Sequence, residues 1–209
     1  MRRPTPTAMR LALAFVALSL AGCGGIAGTS MSVLPPTLEE QTSGTDVLLI
    51  AAHVVDEAVV WASGAGGTVV RTVDGGTTWD VVTPVSDTLQ LRDVVAFDDQ
   101  TALALSIGNG ASSRIVKTTD GGTTWRTVFV NDLEDAFFDG LSFWGTDRGV
   151  AYSDSVDETF VVIATDDGGE TWRRLPASAL PPALPGEGGF AASGTLVHTQ
   201  GDRLGWIAT

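Results

Sequence analysis

The chain has 209 residues, with 12 Lys and Arg against 25 Asp and Glu, a net charge of −13. A balance this acidic argues against a nucleic-acid partner, because phosphate binding needs clustered Lys and Arg. One cysteine and two histidines are too few for an internal disulfide framework or a multi-ligand zinc site.

The first element is a leader. "MRRPTPTAMR" carries Arg2, Arg3 and Arg10, the ten-residue apolar run "LALAFVALSL" follows, and "AGC" closes it. A basic segment, a short apolar run and small residues before a cut describe a secretory signal. The run is short of the ~20 apolar residues that span a bilayer. "LAGC", Leu20 to Cys23, resembles the lipobox of bacterial lipoproteins. That resemblance implies signal peptide 1–22, acylation of Cys23 as the new N-terminus, and a membrane partner reached through the lipid. Gly24 stands where an Asp would resemble an inner-membrane retention signal. The expected location is therefore the periplasmic side of a bacterial envelope, at the outer membrane where there are two. After the leader the balance is nine basic residues against 25 acidic ones, or −16, which favours solubility. Residues 23–43, rich in Gly, Ser, Thr and Pro, read as a flexible tether.

The segment 44–209 is repetitive. "TVDGGTTW", "TTDGGTTW" and "TDDGGETW" end at Trp79, Trp125 and Trp172, 46 and 47 residues apart. Asp93 and Asp139, and Phe97 and Phe143, keep the same step of 46. The runs "AVVWAS", "TALALS" and "RGVAYS" end at Ser63, Ser106 and Ser153, and "GFAASGT" offers a fourth instance at Ser193. Each unit reads as four short strands separated by turn residues. In the middle unit they are expected at about Arg92–Phe97, Ala102–Ser106, Arg114–Thr118 and Thr124–Phe129. Val, Ile, Thr, Phe and Trp suit such half-buried strands, and no amphipathic helix follows the leader. Four-stranded units every 40 to 50 residues predict an all-β fold, a β-propeller, with blades at about 44–83, 84–130, 131–177 and 186–209. Three full units and the opening of a fourth fall short of the four to eight blades that close a propeller. The sequence thus reads as about three and a half blades, a fragment of a closed ring.

Within the repeated phrase the glycines supply positive φ for a tight hairpin. The Asp is expected to accept amide hydrogen bonds two or three residues on. The Thr before the Trp adds a side-chain bond, and the Trp buries its ring as the outer strand begins. These residues match the Asp box, or bacterial neuraminidase repeat: Thr72, Asp74, Gly76, Thr78, Trp79; Thr118, Asp120, Gly122, Thr124, Trp125; and Thr165, Asp167, Gly169, Thr171, Trp172. In families that carry it the box is structural and peripheral. Over most of the segment, "LRDVVAFDDQTALALSIGNGASSRIVKTTDGGTTW" and "DGLSFWGTDRGVAYSDSVDETFVVIATDDGGETWRRLP" resemble photosystem II stability/assembly-factor-like propellers. Bacterial members are often labelled oxidoreductases. The resemblance implies a non-enzymatic scaffold that binds protein, and no cofactor.

Enzyme chemistry would need side chains that this sequence does not supply in a recognisable pattern. A sialidase needs an arginine triad and a Tyr–Glu nucleophile. The only tyrosine, Tyr152, lies in an apolar strand, and Arg71, Arg92, Arg114 and Arg148 sit beside turns, as solvated surface residues do. A serine hydrolase needs a histidine in geometry and a G-x-S-x-G elbow. His53 and His198 are the only candidates, and His53 reads as a packed strand residue. "SDSVDET" offers Asp154, Asp157 and Glu158 to calcium, but the spacing matches no calcium loop and reads as an acidic hairpin. No dinucleotide or P-loop motif is present. Recognition is therefore expected in the variable loops "GAGG", "IGNGASS" and "DSVDET", on a rigid repeat scaffold. Protein is the expected ligand. The alternative is a glycan, taken by a glycan-binding or carbohydrate-active propeller.

Overall fold

A computed structural model describes residues 37–82, 86, 88–192 and 194–209. Cys23, the signal segment 1–22, most of the tether and Ser193 lie outside the described residues. The chain divides into two units, Met1–Leu38 and Glu39–Thr209, and the second holds every strand given below.

The strands form successive antiparallel sheets. Blade 1 is β1 (Leu49–Val54), β2 (Val60–Gly64), β3 (Val69–Thr72) and β4 (Asp80–Val82). Blade 2 is β5 (Leu91–Ala96), β6 (Ala102–Ser106), β7 (Arg114–Thr118) and β8 (Arg126–Val130). Blade 3 is β9 (Phe138–Trp144), β10 (Arg148–Val156), β11 (Thr159–Thr165) and β12 (Arg173–Arg174). β13 (Val197–Gln200) and β14 (Leu204–Ile207) form a two-stranded sheet. Each four-stranded sheet runs in sequence order, and the first strands pack in succession, β1 on β5, β5 on β9 and β9 on β13. Sequential four-stranded meanders arranged side by side around their first strands make a β-propeller arc. Besides strands, the described residues hold three short 3₁₀ turns, and no helix among them is long and apolar enough to cross a membrane.

The core lies between the blades, and alternation along each strand creates it. On blade 2, Val94, Ala96, Ala102, Ala104 and Val116 join Trp61 and Val69 of blade 1. Their neighbours Val95, Leu103, Leu105 and Ile115 turn the other way, to Phe138, Leu141, Ala151 and Ile163 of blade 3. A sheet buried on both faces reads as an unbroken apolar run, which is why "TALALS" shows little polar alternation. Burying each such Leu or Ile contributes about 1.5–3 kcal/mol. The alanines on the blade 1 side leave room for the fully buried Trp61, whose ring meets Trp125 edge-on at 6.4 Å.

One strand boundary departs from expectation. The fourth strand of blade 2 begins at Arg126, paired with Lys117, and not at Thr124. The Thr124 amide is already donated to Asp120 at 2.9 Å, so it cannot join the ladder.

Candidate functional site

The three repeated turns share one geometry. In the second, Thr118 Oγ1 donates to Asp120 Oδ1 at 2.9 Å and accepts the Gly122 amide at 2.9 Å. The amide and hydroxyl of Thr124 donate to Asp120 Oδ1 and Oδ2 at 2.9 and 2.6 Å. The same set joins Thr72, Asp74, Gly76 and Thr78, and Thr165, Asp167, Gly169 and Thr171. The Asp therefore bonds four residues on, and not two or three, because the two glycines with φ near +70° and +85° carry the chain back under the carboxylate. These bonds hold the carboxylates below their usual range. The Thr78 amide leads for Asp74, and the hydroxyls of Thr124 and Thr171 lead for Asp120 and Asp167.

The turns also join blades. A Cβ on Gly122 would stand 2.7 Å from Val82 Cβ of blade 1, and one on Gly169 would collide with Leu103 of blade 2. At Gly122 packing against Val82 thus adds to the demand that φ makes for glycine. Trp172 packs edge-on against Phe143 at 5.9 Å. Trp79 donates its indole N–H to Gln41 Oε1 at 3.0 Å, and Gln41 covers the first turn.

Polar ties between blades were not legible as such in the sequence. Buried Asp93 accepts the Val94 amide at 2.8 Å and the Leu141 amide of blade 3 at 2.7 Å. Burial pushes its pKa up to about 8 against the pull of those amides. Lys117, buried in β7, donates to Gly168 O at 2.9 Å and to Glu170 Oε1 at 2.7 Å, and Arg126 pairs with the same carboxylate. The signal available was Lys117 directly after the apolar pair Ile115 and Val116 in "RIVKT". Arg71, Arg92 and Arg114 are half-buried where solvated surface is expected, while Arg148 is exposed. Arg71 donates to Asp99 O at 2.6 Å and lies 5.4 Å from the Trp61 ring centroid. Arg92 reaches Ala191 O at 3.3 Å, Arg114 reaches Ala111 O at 3.0 Å, and Arg148 reaches Asp202 O at 2.5 Å. A guanidinium presents several donors in a fixed fork, and each one here answers carbonyls left exposed at a turn.

The expected serines Ser63, Ser106 and Ser153 fall in the second strands, and Ser106 ends its strand. Ser106 Oγ donates to Ser112 O at 2.6 Å, and Ser153 Oγ accepts the Phe137 amide at 3.0 Å. The variable loops are tied to the chain that enters the next blade, through Gly67 N–H to Leu89 O, Gly110 N–H to Ala136 O and Ala183 N–H to Glu158 O.

A cavity of about 570 Å³ lies among β1, β5, β9 and β13, and His53, Asp93, Ser142, His198 and Thr199 contribute polar lining. His53 is half-buried, and desolvation lowers its pKa. Asp93 is the one carboxylate among the described lining residues, and both of its oxygens are engaged by amides. A second carboxylate, Asp139, is 1% exposed with Oδ2 unpartnered. Burial, then the charge of Asp154, raises its pKa to about 7. Tyr152 is buried beside it, its hydroxyl unpartnered and its pKa raised by burial and by Asp154 and Asp139. Asp154 accepts the Gly189 amide at 2.6 Å, while Asp157 and Glu158 form the positive-φ turn of the β10–β11 hairpin. The structure does not bring these three acids together, and no cluster of metal-ligating residues occurs among the described residues.

Exposed apolar side chains also occur on β14. It pairs with β13 along one edge, and its other edge faces no strand among the described residues. Leu204, Trp206 and Ile207 are 59%, 51% and 39% exposed there.

The strand order and the inter-blade core define the class: an arc of a β-propeller. No family model matches the chain, and no curated protein matches it. Among solved structures it is similar to YCF48 bound to D1 peptide, at 20% identity and TM-score 0.48, covering 62% of this chain and 39% of that one. It is similar also to YCF48 from Cyanidioschyzon merolae, at 19% identity and TM-score 0.47, covering 62% and 40%. The GH74 enzyme of Niastella koreensis is similar at 18% identity and TM-score 0.44, covering 56% and 20%. The chain thus spans about two fifths of the length of the YCF48 structures.

Proposed function

We propose that this protein is a non-enzymatic, protein-binding scaffold, anchored through a lipid on Cys23 at the periplasmic side of a bacterial envelope, and that it takes its partner on the variable loops between the second and third strands of its blades. The observation that carries the reading is the way each of these loops is hydrogen-bonded to the chain that leads on from its blade, Gly67 to Leu89 O, Gly110 to Ala136 O and Ala183 to Glu158 O. Loops of differing sequence held on a rigid repeat are suited to recognition. The three repeated Asp residues and Asp93 are occupied by amides and hydroxyls of the fold, which supports a structural role for them.

The loops can be tested at exposed residues, Ala111 between β6 and β7 and Glu158 between β10 and β11. Affinity capture with the full chain should enrich a protein partner over a control lipoprotein, and Ala111→Lys with Glu158→Lys should lose it. Equal capture by both proteins, or none above the control lipoprotein, overturns the reading.

A further inference from the structure

The connector from β12 to β13 runs over residues 175–196, against 83–90 and 131–137 for the two before it. Its middle part, 183–192, lies along blade 3 as a strap. The Ala183 amide donates to Glu158 O at 3.1 Å, and Ser155 Oγ donates to Glu187 O at 2.7 Å. The Gly189 amide donates to Asp154 Oδ1 at 2.6 Å. Arg92 of blade 2 reaches the far end of the strap at Ala191 O, at 3.3 Å. The strap is thus bound to the β10–β11 hairpin, whose tip is one of the variable loops.

We propose that the carboxyl groups of Asp139 and Asp154 form a proton-operated latch, which holds this strap down while they share a proton and releases it when both are charged. The inference rests on the loop-binding reading above for its consequence alone: release changes the surface that a partner meets beside the β10–β11 loop.

The two carboxyls lie under two glycines of the strap. A Cβ on Gly188 would collide with Asp154 Oδ1, and one on Gly189 would stand 2.9 Å from both Asp139 Oδ2 and Tyr152 Cε1. The strap therefore rests on both acids with no side chain in between. Asp139 is buried, and its Oδ2 has no hydrogen-bond partner among the described residues, nor has the Tyr152 hydroxyl. The Asp154 carboxyl faces Asp139 from β10. A buried carboxylate without a donor is costly, and two that face each other repel. One proton between them supplies the donor and removes one charge.

The surroundings add negative charge. Tyr152 stands beside Asp139 on β10, and Glu187 of the strap lies within reach of the Tyr152 hydroxyl's field. Asp93 of β5 lies under Gly194, just beyond the strap. Arg92, also on β5, is turned to Ala191 O. Neither Asp139 nor Asp154 takes part in an ion pair among the described residues. Burial first, then the charge of Asp154, raises the Asp139 pKa from 3.8 to about 7. Under a lifted strap the carboxyl is hydrated, and its pKa falls back towards 3.8. The latch therefore holds fully below about pH 4 and loosens as pH rises through about 7, when the proton leaves to solvent.

Hydrogen exchange of the full chain at pH 6 and pH 8, read by mass spectrometry over residues 183–192 and corrected for the intrinsic rate, measures release. Protection of the strap should fall about ten-fold between the two, with the tryptophan fluorescence of the folded protein unchanged. Asp139→Asn carries no charge at either pH and should remove the fall. Asp154→Asn keeps an oxygen for the Gly189 amide and should move the fall to lower pH, which decides the matter if Asp139→Asn does not fold. Equal protection of the strap at both pH values overturns the latch. A fall that persists in Asp139→Asn, or that keeps its midpoint in Asp154→Asn, overturns it too. A parallel change in tryptophan fluorescence means that the whole fold opens, and also overturns it. No partner enters the measurement, so a failed capture leaves the latch standing and a failed latch leaves the loop reading standing.

Discussion

Replacing Asp93 with Asn tests the tie between the innermost strands of blades 2 and 3. The carboxyl is 3% exposed and accepts one amide from its own strand and one from blade 3. Its pKa is raised from 3.8 to about 8 in the fold. Between those values the folded protein holds a proton that the unfolded chain has released. The stabilisation is complete below about pH 4 and is lost as pH rises through about 8, at about 1.4 kcal/mol per unit. Asparagine has the same shape but a single acceptor. Its NH₂ group faces one of the two amides, leaving a buried N–H unpaired at a cost of about 1–3 kcal/mol that does not vary with pH. Asp93→Asn should therefore be about 2 kcal/mol less stable than the parent at pH 5. The gap should shrink by about 1.4 kcal/mol per unit and reverse before pH 8. Asp139, also raised, is present in both proteins and drops out of the difference. Urea unfolding followed by tryptophan fluorescence at pH 5, 6, 7 and 8 measures the gap. A constant gap would refute the argument, because it would mean that the two amides keep the carboxylate ionised despite its burial.

The remaining predictions concern the turns and the anchor. Lys117→Met removes the donor to Gly168 O and Glu170, and should cost about 1–3 kcal/mol in the same unfolding assay. Thr118→Val deletes the acceptor of the buried Gly122 amide and should destabilise by about 1–3 kcal/mol; unchanged stability would show that the hydroxyl is dispensable. Cys23→Ser should abolish palmitate labelling and move the protein from the detergent to the aqueous phase on detergent partitioning. A parent protein that takes up no label would sink the lipid anchor.

Some of this structure is legible in the sequence because it is local. The turn hydrogen bonds of Thr118, Asp120, Gly122 and Thr124 join residues two to four positions apart. The phrase therefore predicts them wherever it occurs, and its spacing sets the blade period. The doubly apolar strands follow from the same reading, since a run such as "TALALS" has no polar face to turn to water. What local chemistry does not carry is the direction of the side chains that cross from blade to blade. Arg71 and Arg92 look like surface residues beside turns, yet they bond to carbonyls 28 and 99 residues away. Asp93 repeats in step with Asp139, yet among the described residues Asp93 alone of the two takes an amide from the next blade.

The chain by itself determined the all-β class, the four-stranded unit and the form of each turn, because these depend on neighbours within one hairpin. Tertiary structure alone decided which glycine touches Val82 or Leu103 and which cation enters a turn. Those contacts join residues about one blade apart, and they exist only once the sheets have stacked at their own twist and spacing.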